Sequence, residues 1–382
     1  MTTGEKIMPF RAKREKTKRL TSIQSMRGYA AVLVLIAHSV DLASMHGERF
    51  FMNQWLHLEN FGAIGVDLFF VISGFVMANS VANRNGPRAS RNFLVMRWLR
   101  IAPPYIIISF ILIAITIAQR ASINPISIAN LFLFIPWFDT STFTMPPLDV
   151  GWTLSFEFTF YLLVALMVLL RLGDKIEWLS LGIVALVGLG VVLPDDIFLL
   201  QWVTNPIFLE FALGIGAYSL WKRRALETAR VGWLALGLSG GLVLVVQAVM
   251  GFGDVSEVAN IVDGTLSLQR VFWWGVPGAA IFIAVIAFER PSTGIAARIS
   301  GRIGDASYSI YLVHILALMV YSSAVTHMPF GLPPTVVFVG AIAVGICAGI
   351  FYFRFVENPL RLRMETTATI MFRMNSMGNQ PQ

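Results

Sequence analysis

Charge is what this 382-residue chain has least of. Asp, Glu, Lys and Arg supply 13% of its residues against 56% hydrophobic ones, and its mean hydropathy is +0.70. Soluble domains carry about 25% charged residues. Long polar stretches are also missing: none between hydrophobic segments exceeds about thirty residues, short of the ~50 that a small domain needs. A separate soluble catalytic domain is therefore not expected. The single cysteine, Cys347, lies in an apolar run. It cannot form an internal disulfide, and packing is its expected role. The five histidines and one cysteine form no cluster with zinc or haem spacing, so no metal is expected. The first 26 residues are polar and basic, without the apolar core and small-residue cleavage site of a signal peptide. The first hydrophobic helix is expected to serve as an uncleaved anchor.

Long apolar runs are abundant. About ten approach the ~20 residues that a spanning helix needs: 28–46, 61–80, 101–119, 150–170, 178–193, 200–221, 231–250, 272–288, 307–325 and 334–354. The expected fold is an all-α polytopic transmembrane bundle. Residues 1–19 form a basic tail, 20–361 the membrane domain and 362–382 a disordered tail. With the amino terminus in the cytoplasm, 26 of the 29 Lys and Arg fall on the cytoplasmic side, leaving Arg49, Arg120 and Arg270 in outside loops. That asymmetry is the positive-inside pattern. It places both termini in the cytoplasm of a multi-pass cell-membrane protein. The net charge of +7 is then a topology signal, and nucleic acid is not an expected partner. The outside loops bring acids and aromatics together, with Trp137, Asp139 and Asp149 in one and Asp254, Glu257 and Asp263 in another. That mixture suits carbohydrate hydroxyls and ring faces, or an ordinary solvated loop.

Ionisable groups inside spans are costly and are functional candidates by default. Arg27 and His38 bracket the run GYAAVLVLIA. Helical rise puts the imidazole about 16 Å beyond the guanidinium, near the middle of a membrane. Asp41, at i+3 on the same face, either orients the imidazole or meets water at the outer surface. In the second span, GVDLFFVISGF, Asp67 either lines a polar cavity or caps the helix. Ser73 and Gly74 lie deeper, where small residues permit close helix contact. The fourth span opens GWTLSFEFTFYL, with Trp152 at its start and Glu157 about 10 Å along it. A carboxylate among Leu154, Phe156, Phe158 and Phe160 organises a site or makes a helix–helix hydrogen bond, because a bare one is too costly. Arg97 and Arg100 share a helix face at i,i+3. They either grip phosphate groups or anchor the span. In SYSIYLVH, Tyr308, Tyr311 and His314 form a polar stripe, in which His314 reads as structural more readily than catalytic.

These motifs together resemble the acyltransferase-3 family of membrane acyltransferases. The resemblance is carried by Arg27-x10-His38, GVDLFFVISGF, RWLRIAPPY, GWTLSFEFTFY, SYSIYLVH and VENPLR at 356–361, from residue 20 to about 361. It is nearest to stand-alone bacterial members that modify exopolysaccharides or other surface glycans. It implies ten helices and transfer of an acyl group, usually acetyl, from cytoplasmic acyl-CoA to a carbohydrate hydroxyl. It implies His38 as the catalytic histidine with Arg27 as its basic partner. Arg97 and Arg100 match donor-binding arginines, and Glu157 an acidic position. Many members carry a second acid after that glutamate, where Phe158 stands here. Many also append a hydrolase-like domain that this chain lacks.

The two readings converge. Acyl-CoA, a donor substrate rather than a bound cofactor, enters at the arginines. A glycan acceptor descends past Glu157 to His38, the general base. Membrane lipid and glycan-biosynthesis machinery are the further partners expected. The rival is a transporter or flippase for a glycan or lipid precursor, but the chain shows none of the repeated halves common in transporters. A non-catalytic scaffold for a glycan synthase is a third reading.

Overall fold

The computed structural model describes residues 20–47, 55–58, 62–134, 138–139, 142–193, 197–251, 257–289 and 294–377. The basic tail, Arg49, Trp137 and Asp254 lie outside the described residues. The elements that position the site are α1 (Thr21–Ser44), α2 (Ile64–Val81), α3 (Pro87–Ala118), α4 (Trp152–Leu169), α5 (Trp178–Gly190) and α6 (Phe208–Lys222). They are followed by α7 (Arg230–Met250), α8 (Val276–Ala287), α9 (Ile295–Asp305), α10 (Ser307–Thr326), α11 (Pro334–Tyr352) and α12 (Asn358–Met377). The only strand pairing among the described residues is a two-residue ribbon, Phe138–Asp139 with Thr142–Phe143.

Nine helical runs among the described residues are long and apolar enough to cross a membrane. Their outer faces agree with that solvent. On α7, Leu234, Leu238, Leu242, Val245 and Val249 form an exposed apolar stripe at i+3/i+4 spacing. Water would penalise such a patch, whereas hydrocarbon does not. The expected fifth span is the exception in length. As α5 it has 13 residues, about 20 Å, against the ~30 Å hydrocarbon core.

Helix α2 is the central strut and packs on α1, α4, α6 and α8. A methyl group on Gly74 would lie 2.1 Å from the Phe211 carbonyl oxygen, and one on Gly214 2.0 Å from that of Val71. The α2 and α6 backbones therefore touch at a pair of small residues, as expected for Gly74. Gly28 of α1 meets Gly304 in the same way, 2.9 Å from the Gly304 amide nitrogen to the position a Cβ would take.

Several boundaries differ from the sequence expectation. Helix α1 starts at Thr21 rather than near 28, because the Glu289 carboxylate accepts hydrogen bonds from the Thr21 and Ser22 amides at 2.8 and 3.2 Å. It thereby satisfies donors that a helix start leaves free. Helix α3 starts at Pro87, not 101, so Arg97 and Arg100 lie inside a 32-residue helix. Hydropathy hides this first half because it is polar, whereas Pro87 at the first turn favours it. Pro103 and Pro104 interrupt the amide ladder of α3. Two tyrosines bind carbonyls at this break, Tyr308 that of Ile101 at 2.7 Å and Tyr352 that of Pro104 at 2.9 Å. The tail expected to be disordered is helical to Met377. It lies against α3, with Arg91 over the Phe372 ring. Cys347, expected in packing, is exposed on α11.

Arg270 is the largest correction. Assigned above to an outside loop, it is 1% exposed and pairs with Asp67, itself fully buried. Nε donates to Oδ1 at 2.9 Å and a terminal nitrogen to Oδ2 at 2.7 Å. The guanidinium also lies over the Trp274 ring and donates to the Ala63 carbonyl. Asp67 is therefore neither a cavity liner nor a cap. It is half of a buried ion pair tying α2 to the turn before α8.

Candidate active site

Helices α1, α2, α3, α4 and α10 enclose a cavity of ≈ 70 Å³. Arg27 reaches it from the second turn of α1, Arg97 and Arg100 from one face of α3, Ser73 from α2, Glu157 and Tyr161 from α4, and Tyr308 from α10. Tyr161 donates its hydroxyl hydrogen to Glu157, and Ser73 donates to the same oxygen at 3.3 Å. Arg97 stacks over Phe93, with the guanidinium carbon 5.4 Å from the ring centre. Three guanidiniums and one carboxylate in an apolar bundle leave a cationic excess even with Glu157 ionised. Such a site fits an anion with several oxygens, which arginine binds by its planar fork. A second acid stands behind the arginines. Glu357, 2% exposed, accepts a hydrogen bond from Ser309 and has Arg100, Arg361 and Arg27 among its nearest charges.

His38 does not line this cavity. It is separated from it by a buried contact in which the Thr153 and Tyr311 hydroxyls lie 2.8 Å apart and the Val150 carbonyl oxygen lies 2.9 and 3.0 Å from them. Along α4, Glu157 lies one turn to the cavity side of Thr153. Along α10, Tyr308 lies to that same side and His314 to the other. The His38 ring sits 5.2 Å from that of His314, and its Nδ1 lies 3.8 Å from an Asp41 oxygen. The His38 side chain is 40% exposed, whereas His314 is fully buried. The candidate residues therefore fall into two groups. Arg27, Arg97, Arg100, Glu157, Ser73 and Tyr308 surround the cavity, and His38, Asp41 and His314 lie beyond Tyr311.

This arrangement overturns one expectation. Glu157, expected between the outer face and His38, is on the arginine side of the Thr153–Tyr311 contact. The reason is a hydrogen-bond partner invisible from spacing: Tyr161, one turn on, draws the carboxylate toward the arginines. Trp152 is a core residue, 6% exposed and edge-on to Phe156. Phe158 packs on Phe134, outside the cavity lining. Sequence reasoning passed over Tyr161, Thr153, Glu357 and Glu210. The last is fully buried and lies against Asp67. Glu210 had a usable signal, being an acid in an apolar run. Thr153 and Tyr161 had none, since hydroxyls are common in spans.

Fold and site together define a polytopic membrane protein with a cationic cavity and, beyond the Thr153–Tyr311 contact, a histidine pair. The chain belongs to the acyltransferase-3 family: the Acyl_transf_3 family model, an acyltransferase domain, matches residues 20–353. It is an O-acyltransferase. Among curated proteins it is similar to the exopolysaccharide production protein ExoZ of Rhizobium meliloti, 31% identical over 314 residues, covering 80% of this chain and 92% of that one. It is also similar to the acyltransferase MdmB of Streptomyces mycarofaciens, 27% identical over 331 residues, covering 78% and 79%. No solved structure matches the chain.

Proposed function

We propose that the chain transfers an acyl group, acetyl foremost, from acyl-CoA to a carbohydrate hydroxyl on the far side of the membrane. The observation that carries this reading is the convergence of Arg27, Arg97 and Arg100 on one buried cavity. A donor rich in phosphate oxygens suits three forked cations better than any neutral substrate does. The excess of Lys and Arg in the loops at that end supports a cytoplasmic setting for it. The glycan acceptor is supported by the likeness to an exopolysaccharide production protein.

In the proposed reaction the donor's anionic part rests on the arginines while its thioester extends past Tyr311 toward His38. The His38 imidazole takes the proton of the acceptor hydroxyl as its oxygen attacks the thioester carbonyl. The C–S bond then breaks, and the departing thiolate takes the proton from His38. One ester forms, one thioester is lost, and the histidine returns to its starting state. A volume of ≈ 70 Å³ is below the ~300 Å³ of ordinary ligand pockets. Donor binding therefore requires the cavity to widen.

Two measurements test this reading. Arg97→Ala and Arg100→Ala are each expected to raise the donor KM about tenfold or more, since a charge-assisted contact contributes about 1.5–3 kcal/mol. The acceptor KM should change little. An unchanged donor KM in both variants would reduce these arginines to topology signals. In sealed, right-side-out proteoliposomes, acetyl-CoA trapped inside is expected to acylate glycan supplied only outside. Acylation confined to acceptor placed in the lumen would contradict a reaction across the membrane.

A further inference from the structure

The His314 ring is oriented by its own helix. Its Nδ1 lies 2.7 Å from the Tyr311 carbonyl oxygen and 3.2 Å from that of Ile310. Carbonyl oxygens only accept, so Nδ1 must carry a hydrogen. In the neutral imidazole that leaves Nε2 as a lone-pair acceptor. This atom is fully buried and has no hydrogen-bond partner. Buried acceptors are seldom left unpaired, and those that are call for an explanation.

The neighbouring ring supplies one. His38 belongs to a different helix, but Gly28 against Gly304 sets α1 beside the start of α10, and each histidine lies ten residues beyond its glycine. The ring centres are 5.2 Å apart and tilted by 34°. Two imidazoles at that separation can be linked by one N–H···N hydrogen bond once their nitrogens are turned toward one another. Of the two His38 nitrogens, Nδ1 lies 3.8 Å from an Asp41 oxygen, beyond hydrogen-bond distance, so the carboxylate does not hold a hydrogen on it. Nε2 is the one left to serve His314. Rotation about the soft torsion of an imidazole suffices to align them.

We infer that His314 is a positioning residue for His38. Its Nε2 accepts the hydrogen on His38 Nε2, which fixes the tautomer and leaves His38 Nδ1, beside Asp41, as the basic nitrogen. When Nδ1 takes the acceptor's proton, the resulting cation has Asp41 on one side and the His314 lone pair on the other. The polar stripe of SYSIYLVH thereby gains a function beyond packing. The inference rests on the reading of His38 as the base.

Two substitutions separate this role from a structural one. Asn at 314 keeps a donor near the place of Nδ1 and removes the Nε2 acceptor. Gln carries an amide oxygen to the place of Nε2 and gives up the Nδ1 donor. If His314 positions His38, His314→Asn lowers kcat about tenfold or more, with both KM values within about twofold, and His314→Gln retains more kcat than His314→Asn. Rates are taken per folded protein, counted by a monodisperse peak in detergent. A purely structural His314 gives the reverse order, with Asn near wild type and Gln impaired, and that result overturns the inference. The double variant His38→Ala/His314→Asn keeps the test decisive if either protein is unstable. It should be no slower than His38→Ala alone, because two residues acting as a unit are not additive. A further tenfold loss in the double variant overturns the inference. A His38→Ala protein as active as wild type overturns the reading of His38 itself. A slow His38→Ala protein beside a fully active His314→Asn protein removes only the role of His314.

Discussion

Alanine at position 38 is expected to cut acyl transfer by about 10²–10⁴-fold, the contribution typical of a positioned general base. Expression and membrane insertion should be unchanged, because the His38 side chain is 40% exposed and fills no core position. The loss should appear in kcat and leave the donor KM near its wild-type value, since the arginines proposed to bind the donor lie beyond the Thr153–Tyr311 contact. Labelled acetyl-CoA, purified protein and a glycan acceptor measure both constants. A variant with more than about a tenth of the wild-type rate would be incompatible with a base of this strength.

The second large effect concerns stability. Asp67 and Arg270 form a fully buried pair, and a buried pair broken from one side costs about 3–5 kcal/mol because the remaining charge has no counterpart. Asp67→Leu is expected to fall at the lower end of that range, because Glu210 still lies beside Arg270. Arg270→Met should be the worse of the two, as it leaves Asp67 and the equally buried Glu210 facing each other without a cation. The double variant Asp67→Leu/Arg270→Met should recover much of the loss, because no lone charge remains from the pair. Thermal unfolding of the detergent-solubilised proteins provides the comparison. A double variant less stable than both single ones would mean that the pair contributes through its attraction rather than through mutual neutralisation.

What the sequence determined by itself is set by the solvent. A bilayer requires about 20 apolar residues per crossing and admits only structures that satisfy their own backbone. The helical class and the places of the spans follow from composition alone. Motif order then carried the family, and the cost of burying Arg27, His38, Glu157 and Asp67 marked them for attention without any contact being known. Even so, the starts of α1 and α3 were hidden, because they depend on a carboxylate 268 residues away and on a proline rather than on hydropathy.

Partnership is what only the tertiary structure decided. Spacing places residues on a face of their own helix, but which other helix that face meets is a matter of packing. Arg270 read as a loop charge until Asp67, 203 residues earlier, supplied its counter-ion. Glu157 read as an acid on the acceptor's path until Tyr161 and Ser73 tied it to the arginines' cavity. The ring of His314 met that of His38, a contact between two helices that spacing along one helix does not show. Each charge's cost is a property of its own residue and can be read along the chain. Its compensation belongs to a neighbour brought close by folding, and that neighbour decides whether the group binds, reacts or holds the bundle together.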